Sequence, residues 1–162
     1  MRFLALILVI FIGFEGGVLA GESLSSRTDM LEKTARLLRE IQNRLLFRHE
    51  IYAELLNGIP EVREVLDDTL IISSPAFLEQ LEQAVEIGRC AKWLEDKQRA
   101  LLREALCEMG GSTRAAEGER MEYYACFFEE EARTAKKQEQ EKKTLYRSIG
   151  LYCGVLAAIL LA

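Results

Sequence analysis

Residues 30–56, with the sequence MLEKTARLLREIQNRLLFRHEIYAELL, carry the clearest periodic pattern in the chain. Their apolar residues recur every three or four positions, which is the spacing of one helix face. These residues are Leu31, Ala35, Leu38, Ile41, Leu45, Tyr52, Leu55 and Leu56. Arginine, glutamate and amide side chains occupy the other face, and Asn57-Gly58 follows as a stop signal. The pattern predicts one amphipathic helix that packs on a core.

Helical spacing continues to the end of the middle region. Pro60 and Ser73-Ser74-Pro75 are start signals, whereas Gly88 and Gly110-Gly111 interrupt the pattern. The apolar positions between these signals are Val62, Val65, Leu66, Phe77, Leu78, Leu81, Ala84, Val85, Trp93, Leu94, Leu101, Leu102, Ala105, Leu106, Met109, Met121, Tyr124, Phe128, Ala132 and Ala135. No strand pattern is present, so we expect an all-α fold with a small antiparallel helix bundle.

An apolar segment lies at each end of the chain. Residues 3–20 are apolar apart from Glu15, and a helix of that length measures about 27 Å. Residues 148–162 would measure about 22 Å, and Leu145 and Tyr146 can extend them. We therefore expect an N- and a C-terminal transmembrane helix beside the bundle. The expected boundaries are a transmembrane helix at 1–21, a linker at 22–29, a cytoplasmic helical bundle at 30–135, a charged juxtamembrane helix at 136–144 and a transmembrane helix at 145–162.

Small residues form one stripe on each apolar segment. Gly13, Gly17 and Gly21 recur every four residues, and so do Gly150, Gly154 and Ala158. Such stripes let two helix backbones approach closely within a membrane. We predict that these residues mediate membrane-helix packing, either with each other or with a partner protein.

The first apolar segment also resembles a cleaved secretory signal, because Arg2 precedes it and Val18-Leu19-Ala20 imitates a cleavage site. The alternative hypothesis is therefore an exported helical protein, anchored in the membrane only by its C-terminus. A signal peptide needs no glycine stripe, which favours a retained anchor. Glu15 lies on the helix face opposite the glycines, and a carboxylate in a bilayer either contacts a partner helix or extends to the interface.

The distribution of positive charge predicts the topology. Lysines and arginines lie between the apolar segments and close to them, at Arg27, Lys33, Lys136, Lys137, Lys142, Lys143 and Arg147. Only Arg2 lies outside that interval. The positive-inside rule places the middle region in the cytoplasm and both termini outside it. Charged side chains on one side of the first bundle helix form a candidate protein-interaction face: Arg36, Arg39, Arg44 and Arg48.

Several classes of function lack their signatures in this sequence. The net charge of −5 and the absence of a basic stripe argue against nucleic-acid binding. The only histidine is His49, and the cysteines Cys90, Cys107, Cys126 and Cys153 are scattered, so no metal site is expected. Phosphate-binding and nucleophile-elbow motifs are missing. We expect no enzyme activity, no cofactor and no small-molecule substrate.

Three stretches resemble the stage III sporulation protein AB family of endospore-forming bacteria. They are Leu37–Ile41, the break at Met109–Ser112 and the ending Leu145–Gly154, which is similar to the family's Tyr-Arg-x-Leu-Gly-x-x-x-Gly. The order of features agrees over essentially the whole chain. The sequence departs from the family at Thr113, where an aspartate usually follows the serine, and at Glu50–Tyr52, where the family has Thr-Pro-Leu.

The resemblance implies a non-catalytic membrane platform in the channel complex that joins mother cell and forespore. The soluble part would be similar to the cytoplasmic domains of type II secretion and type IV pilus platform proteins. Implied partners are other membrane proteins of that complex and a secretion-type ATPase. The implied location is the mother-cell membrane around the forespore, with the soluble domain in the cytoplasm.

Overall fold

The computed structural model describes residues 2–47, 52–66, 76–109 and 113–161, and over 2–21 and most of 147–161 it describes the backbone alone. All elements of this described part are helical, which confirms the all-α expectation. Their bounds are α1 (Arg2–Phe47), α2 (Tyr52–Asn57), α3 (Pro60–Val65), α4 (Phe77–Ile87), a 3₁₀ turn (Arg89–Lys92), α5 (Asp96–Cys107) and α6 (Arg114–Leu161).

The chain divides into two compact units. One unit, Asp29–Ala132, is the helical bundle, and it contains α2 to α5 with the adjoining parts of α1 and α6. The other unit combines the two ends of the chain, Met1–Thr28 and Arg133–Ala162. Helices α1 and α6 contribute residues to both units.

In the bundle, α1 and α6 run antiparallel. Arg39 of α1 forms an ion pair with Glu129 of α6 at 2.7 Å, whereas Leu46, later in α1, lies against Gly118, earlier in α6. A Cβ atom at Gly118 would lie 2.8 Å from Leu46 Cδ2, so the two helices are in contact here through the end of the Leu46 side chain. Antiparallel order within the bundle is therefore observed between the first and the last helix.

The helix expected over residues 30–56 is two helices. A single helix would separate Arg44 from Gly58 by about 21 Å. Instead, Arg44 Nη2 donates to the Gly58 carbonyl oxygen at 2.8 Å, so α2 does not extend α1 in a straight line. This arrangement lets α2 place Leu55 and Leu56 in the same core as α1, where both are fully buried.

Helix α4 ends just before Gly88, which confirms the expected break. The 3₁₀ turn Arg89–Lys92 then leads towards α5. The N–H of Arg89 donates to the Leu66 carbonyl oxygen at 2.9 Å, which ties the 3₁₀ turn to the end of α3. Helix α5 then begins with a capping box, in which Gln98 Oε1 accepts the Glu95 N–H at 3.0 Å. This arrangement satisfies N–H groups that the first turn of a helix leaves free.

The expected inward faces are largely the buried ones. Full burial of a large aliphatic or aromatic side chain contributes about 1.5–3 kcal/mol each. The largest fully buried side chains in the bundle are Leu31, Leu37, Leu38, Ile41, Leu55, Leu56, Ile59, Leu66, Leu81, Leu102, Leu106 and Phe128. Leu78, which we expected inside, is 54% exposed, because at about 100° per residue it lies at the edge of the α4 face that Phe77, Leu81 and Ala84 bury.

Residues 22–29, expected as a linker, are helical and belong to α1. No glycine or proline interrupts them, and hydroxyl groups bond back within the helix: Ser26 Oγ donates to the Glu22 carbonyl at 3.1 Å and Thr28 Oγ1 to the Leu24 carbonyl at 3.0 Å. The charged segment 136–144 is likewise part of α6, as expected.

Over the described residues, no helix combines the length and the apolar character that crossing a membrane requires. The flanking transmembrane helices therefore stay a prediction.

We predict opposite effects for alanine at the two packed glycines. In Gly88→Ala the new Cβ would lie 2.5 Å from the Leu66 carbonyl oxygen and still closer to that of Ala84, so the backbone must shift. We expect the free energy of unfolding to fall by about 1–3 kcal/mol.

Gly118→Ala is the matched control, because its Cβ meets only the end of the Leu46 side chain. Alanine in a helix is favoured over glycine by about 0.5–1 kcal/mol, so this variant should be neutral or slightly more stable. Urea unfolding of the detergent-solubilised chain, followed by circular dichroism, measures both. A loss of equal size in the two variants would contradict this account of the Gly88 turn.

Candidate functional site

The predicted interaction face consists of Arg36, Arg39, Arg44 and Arg48, and the first three lie on α1. Its four members have different environments. Arg36 is exposed on α1. Arg39 and Arg44 are partly buried and bind other parts of the bundle. Arg48 lies outside the described residues.

Arg39 joins the first and the last helix of the bundle. Its Nε and Nη2 donate to Glu129 Oε1 at 3.0 and 2.7 Å, and its Nη1 donates to Gln42 Oε1 at 2.9 Å. The hydrogen bond to Glu129 is the main cause that raises the pKa of the Arg39 guanidinium. The Arg39 and Glu129 side chains are 34% and 44% exposed, so solvent screens the attraction between their charges.

Arg44 binds the backbone directly after α2. Its Nε donates to Glu40 Oε1 at 2.8 Å, one helical turn back, while Nη2 reaches the Gly58 carbonyl. The guanidinium therefore satisfies a carbonyl at the C-terminal end of α2, which the helix leaves without an internal partner. These contacts hold Arg39 and Arg44 against other parts of the bundle, and Arg36 is the exposed arginine among the three described.

A groove that the sequence pattern did not reveal runs between α4 and α5. It has a volume of about 470 Å³ and is lined by Glu82, Ala100, Arg103, Glu104, Cys107 and Glu108. Arg103 Nη1 pairs with Glu82 Oε1 at 3.1 Å across it. The α5 residues recur every three or four positions, so they share one face, but only the packing of α4 adds Glu82 to them.

The groove residues lack the usual marks of a catalytic thiol site. Burial raises the pKa of the Cys107 thiol, which makes it a weaker nucleophile near neutral pH. Burial, with a hydrogen bond to Glu104 added, raises the pKa of Tyr124 to about 12. Among the described residues no group of three or more His, Cys, Asp or Glu is arranged to hold a metal ion.

Two partly buried polar contacts hold α5 to its neighbours. Gln98, only 2% exposed, uses its oxygen to cap α5 and its Nε2 to donate to Glu131 Oε2 of α6 at 2.6 Å. The Tyr52 hydroxyl donates to the Leu106 carbonyl oxygen at 2.7 Å, near the end of α5. The Glu95-x-x-Gln98 spacing was a signal for the cap, but nothing in the sequence indicated Glu131 as the second partner.

The predicted membrane-packing residues lie within the two long helices. Gly13, Gly17 and Gly21, with Glu15, are in α1, and the stripe of Gly150, Gly154 and Ala158 is in α6. The contacts of these residues are outside what the structure describes. On α6 of the same unit, large apolar side chains are exposed at Leu145, Ile149, Tyr152, Leu156 and Ile159.

Taken together, the helical bundle and the separate unit formed by the two chain ends place the chain in the class of all-α proteins. A family profile described as stage III sporulation protein AB matches residues 2–162. The chain belongs to the stage III sporulation protein AB family, as the sequence resemblance implied, and its role is related to sporulation. Neither a curated protein nor a solved structure matches the chain.

We expect the arginines of the candidate face to differ in their effect on stability. Arg39→Ala removes the contact with Glu129 and should lower the free energy of unfolding by about 0.5–1 kcal/mol, because the pair is partly exposed. Arg36→Ala should stay within about 0.5 kcal/mol of the parent. A double-mutant cycle of Arg39→Ala with Glu129→Ala, measured by urea unfolding, isolates the coupling. A coupling of zero would argue against the ion pair.

Gln98→Leu should be more damaging, because it leaves the Glu95 N–H and the Glu131 carboxylate each without this partner. We expect a loss of about 2–3 kcal/mol in the free energy of unfolding. Gln83→Leu, at an exposed position of α4, is the control and should change little. Equal losses in the two variants would show that Gln98 is not a buried connector.

Proposed function

We propose that this chain is a non-catalytic membrane platform of the channel complex that joins mother cell and forespore during sporulation. In this role the bundle, Asp29–Ala132, lies in the mother-cell cytoplasm, and the two apolar ends lie in the membrane. The observation that carries the proposal is the membership of residues 2–162 in the stage III sporulation protein AB family, combined with a helical bundle placed between two apolar ends.

The membrane part of the proposal is supported by hydropathy. Residues 3–20 contain a single charge, Glu15, and no residue after Arg147 is charged. Each apolar run lies within a long helix, and a helix satisfies its own backbone groups, as a bilayer requires. Positive charges between the two runs support a cytoplasmic bundle, because the basic residues flanking membrane segments stay inside.

Docking of partners is proposed for the outer surfaces of the bundle. The partners would be other membrane proteins of the complex and a secretion-type ATPase. Arg36 is the described arginine that is best placed for such a contact, since Arg39 and Arg44 already bind Glu129, Glu40 and the Gly58 carbonyl. Arg39 and Arg44 can contribute to docking only through the parts of their side chains that remain exposed to solvent.

The proposal assigns no reaction, cofactor, nucleic acid or small-molecule substrate to the chain. Two thiols of the bundle are poor nucleophiles near neutral pH. Burial raises the pKa of the Cys90 thiol to about 11, and it also raises the pKa of the Cys107 thiol. His49, the only histidine in the sequence, lies outside the described residues.

The rival hypothesis is an exported protein that loses its first twenty residues and keeps only a C-terminal anchor. Against it, α1 runs without a break from Arg2 to Phe47, so a cut after Ala20 would fall inside a helix. Proteolytic sites are more often in exposed, irregular segments. Mass spectrometry of the chain purified from its native cell decides between the two: a mature N-terminus at Gly21 would support export.

We expect the full chain to stay in the membrane pellet after alkaline carbonate extraction, with its bundle reachable only from the cytoplasm. Cys126 is the suitable probe because it is exposed in the bundle, whereas Cys90 is buried. In protoplasts of vegetative cells expressing a chain that keeps only Cys126, an impermeant maleimide should label the thiol only after permeabilisation.

The matched control keeps no native cysteine and carries Arg2→Cys, which the topology places outside the cell. This variant should be labelled in intact protoplasts. Labelling of Cys126 in intact protoplasts, or recovery of the chain in the carbonate supernatant, would refute the platform topology.

A further inference from the structure

The groove between α4 and α5 has walls that the bundle holds in place. Arg103 pairs with Glu82 at 3.1 Å, and Arg99 pairs with Glu86 at 3.8 Å. Glu82 precedes Glu86 on α4, whereas their partners occur in the reverse order on α5, so the two helices run antiparallel. The residues that line the groove lie in these two helices or directly after α5, at Glu108.

The lining of the groove is partly apolar. Ala100 and the half-buried Cys107 contribute to it. Leu78, which is 54% exposed, lies one turn before Glu82 on the same side of α4. Because the helices are antiparallel, that position is level with Cys107, one turn after Arg103. An exposed leucine therefore borders the groove at its Cys107 end.

Two carboxylates of the groove have no basic partner. Within the described part of the chain, neither Glu104 nor Glu108 forms an ion pair, although they repel each other one turn apart on α5. The Tyr124 hydroxyl donates a hydrogen bond to Glu104, which adds no positive charge. Arg120 Nη2 donates at 2.6 Å to the backbone carbonyl oxygen of Glu108. Three glutamates and one arginine line the groove, so its lining carries excess negative charge.

We propose that this groove docks a basic segment of another protein, in which an aliphatic side chain lies beside lysine or arginine residues. The basic side chains pair with Glu104 and Glu108, and the aliphatic one packs on Leu78 and Cys107. The inference rests on the proposed platform role, which requires partner contacts. It adds the surface at which one contact forms and the chemistry of the segment that binds there.

Charge complementarity selects this occupant. An acidic groove attracts a cationic segment and repels an acidic one, which favours the correct partner and its correct orientation. Pairing also removes the repulsion between Glu104 and Glu108, and docking takes the exposed apolar surface of Leu78 out of water. An uncharged apolar segment would leave both carboxylates without a partner and partly desolvated, which is unfavourable.

The dimensions of the groove match a short segment. From Ala100 to Glu108 it extends about 12 Å along α5, which is two helical turns. Glu104 and Glu108 are about 6 Å apart along the axis, as are basic residues on successive turns of a helix laid into the groove. A contact of this size is part of an interface and not a whole one, because stable interfaces bury about 1,200–2,000 Å².

Site-specific photo-cross-linking of the full chain in sporulating cells tests the proposal. Genetically encoded benzoylphenylalanine replaces Leu78 at the edge of the groove, and in a control chain it replaces Gln83, an exposed residue on another side of α4. After irradiation, mass spectrometry identifies the linked peptide. We expect the probe at Leu78 to join a lysine- or arginine-containing segment of a different protein, and the probe at Gln83 not to join that segment.

Neutral variants show whether the groove charges hold the segment. Glu104→Gln/Glu108→Gln should lower the yield of the adduct by roughly fivefold or more, because each exposed ion pair contributes a factor of roughly 1.4 to 5. Glutamine keeps an oxygen that accepts the Tyr124 hydroxyl hydrogen. The matched control, Glu119→Gln/Glu122→Gln, removes the same charge at exposed positions of α6 and should leave the adduct unchanged.

A second variant blocks the groove without changing its charge. Ala100→Trp fills the space between α4 and α5 and should also lower the yield of the adduct, whereas Gln83→Trp should not. Replacing the basic residues of the linked segment by glutamate should abolish the adduct, and Glu104→Lys/Glu108→Lys should restore it. Circular dichroism of each purified chain verifies that the bundle is folded.

Three outcomes would overturn the inference: no adduct at Leu78, an adduct with a second copy of this chain, or a yield that the groove variants leave unchanged. Carbonate extraction and Cys126 labelling of the same chains separate this inference from the platform role. A chain with the expected topology but without the charge-dependent adduct refutes only the groove contact. A chain in the carbonate supernatant refutes the membrane platform itself.

Discussion

The antiparallel contact between α1 and α6 is the constraint on which the bundle depends. It joins Arg39 with Glu129, 90 positions apart in the sequence, and Leu46 with Gly118, 72 positions apart. One contact is an ion pair, and in the other the Leu46 side chain lies against Gly118. Together they fix the antiparallel direction of the first and last helices, and the shorter helices α2 to α5 add further buried aliphatic residues to the core.

Polar side chains in this bundle mainly position helices. Gln98 caps α5 and binds α6, Tyr52 binds the end of α5, and Arg44 closes the turn after α2. Each of these contacts links segments that are far apart in the chain, and each fixes an orientation that apolar packing alone would leave loose.

The charges that remain on the outside differ from helix to helix. The groove between α4 and α5 is lined by three glutamates and one arginine, which gives it an acidic character, whereas Arg36 gives part of α1 a basic one. Near the C-terminus, α6 changes from a charged helix to an apolar one within a few residues of Arg147. A protein of the stage III sporulation protein AB family thus carries acidic, basic and apolar surfaces on different helices.

Local patterns in the sequence were sufficient for the helices, for most of their inward faces and for the break at Gly88, because helical periodicity and glycine or proline signals act over a few residues. They also predicted that the charged segment 136–144 continues as a helix, since no helix-breaking residue interrupts it. The placement of α2 beside α1, the partners of Arg39 and Arg44, the second partner of Gln98 and the groove at Cys107 came only from the tertiary structure. Each of these depends on which residues, distant in sequence, packing brings together. Periodicity says which side of a helix faces inward, but it does not say which helix is on that side or at what register it lies.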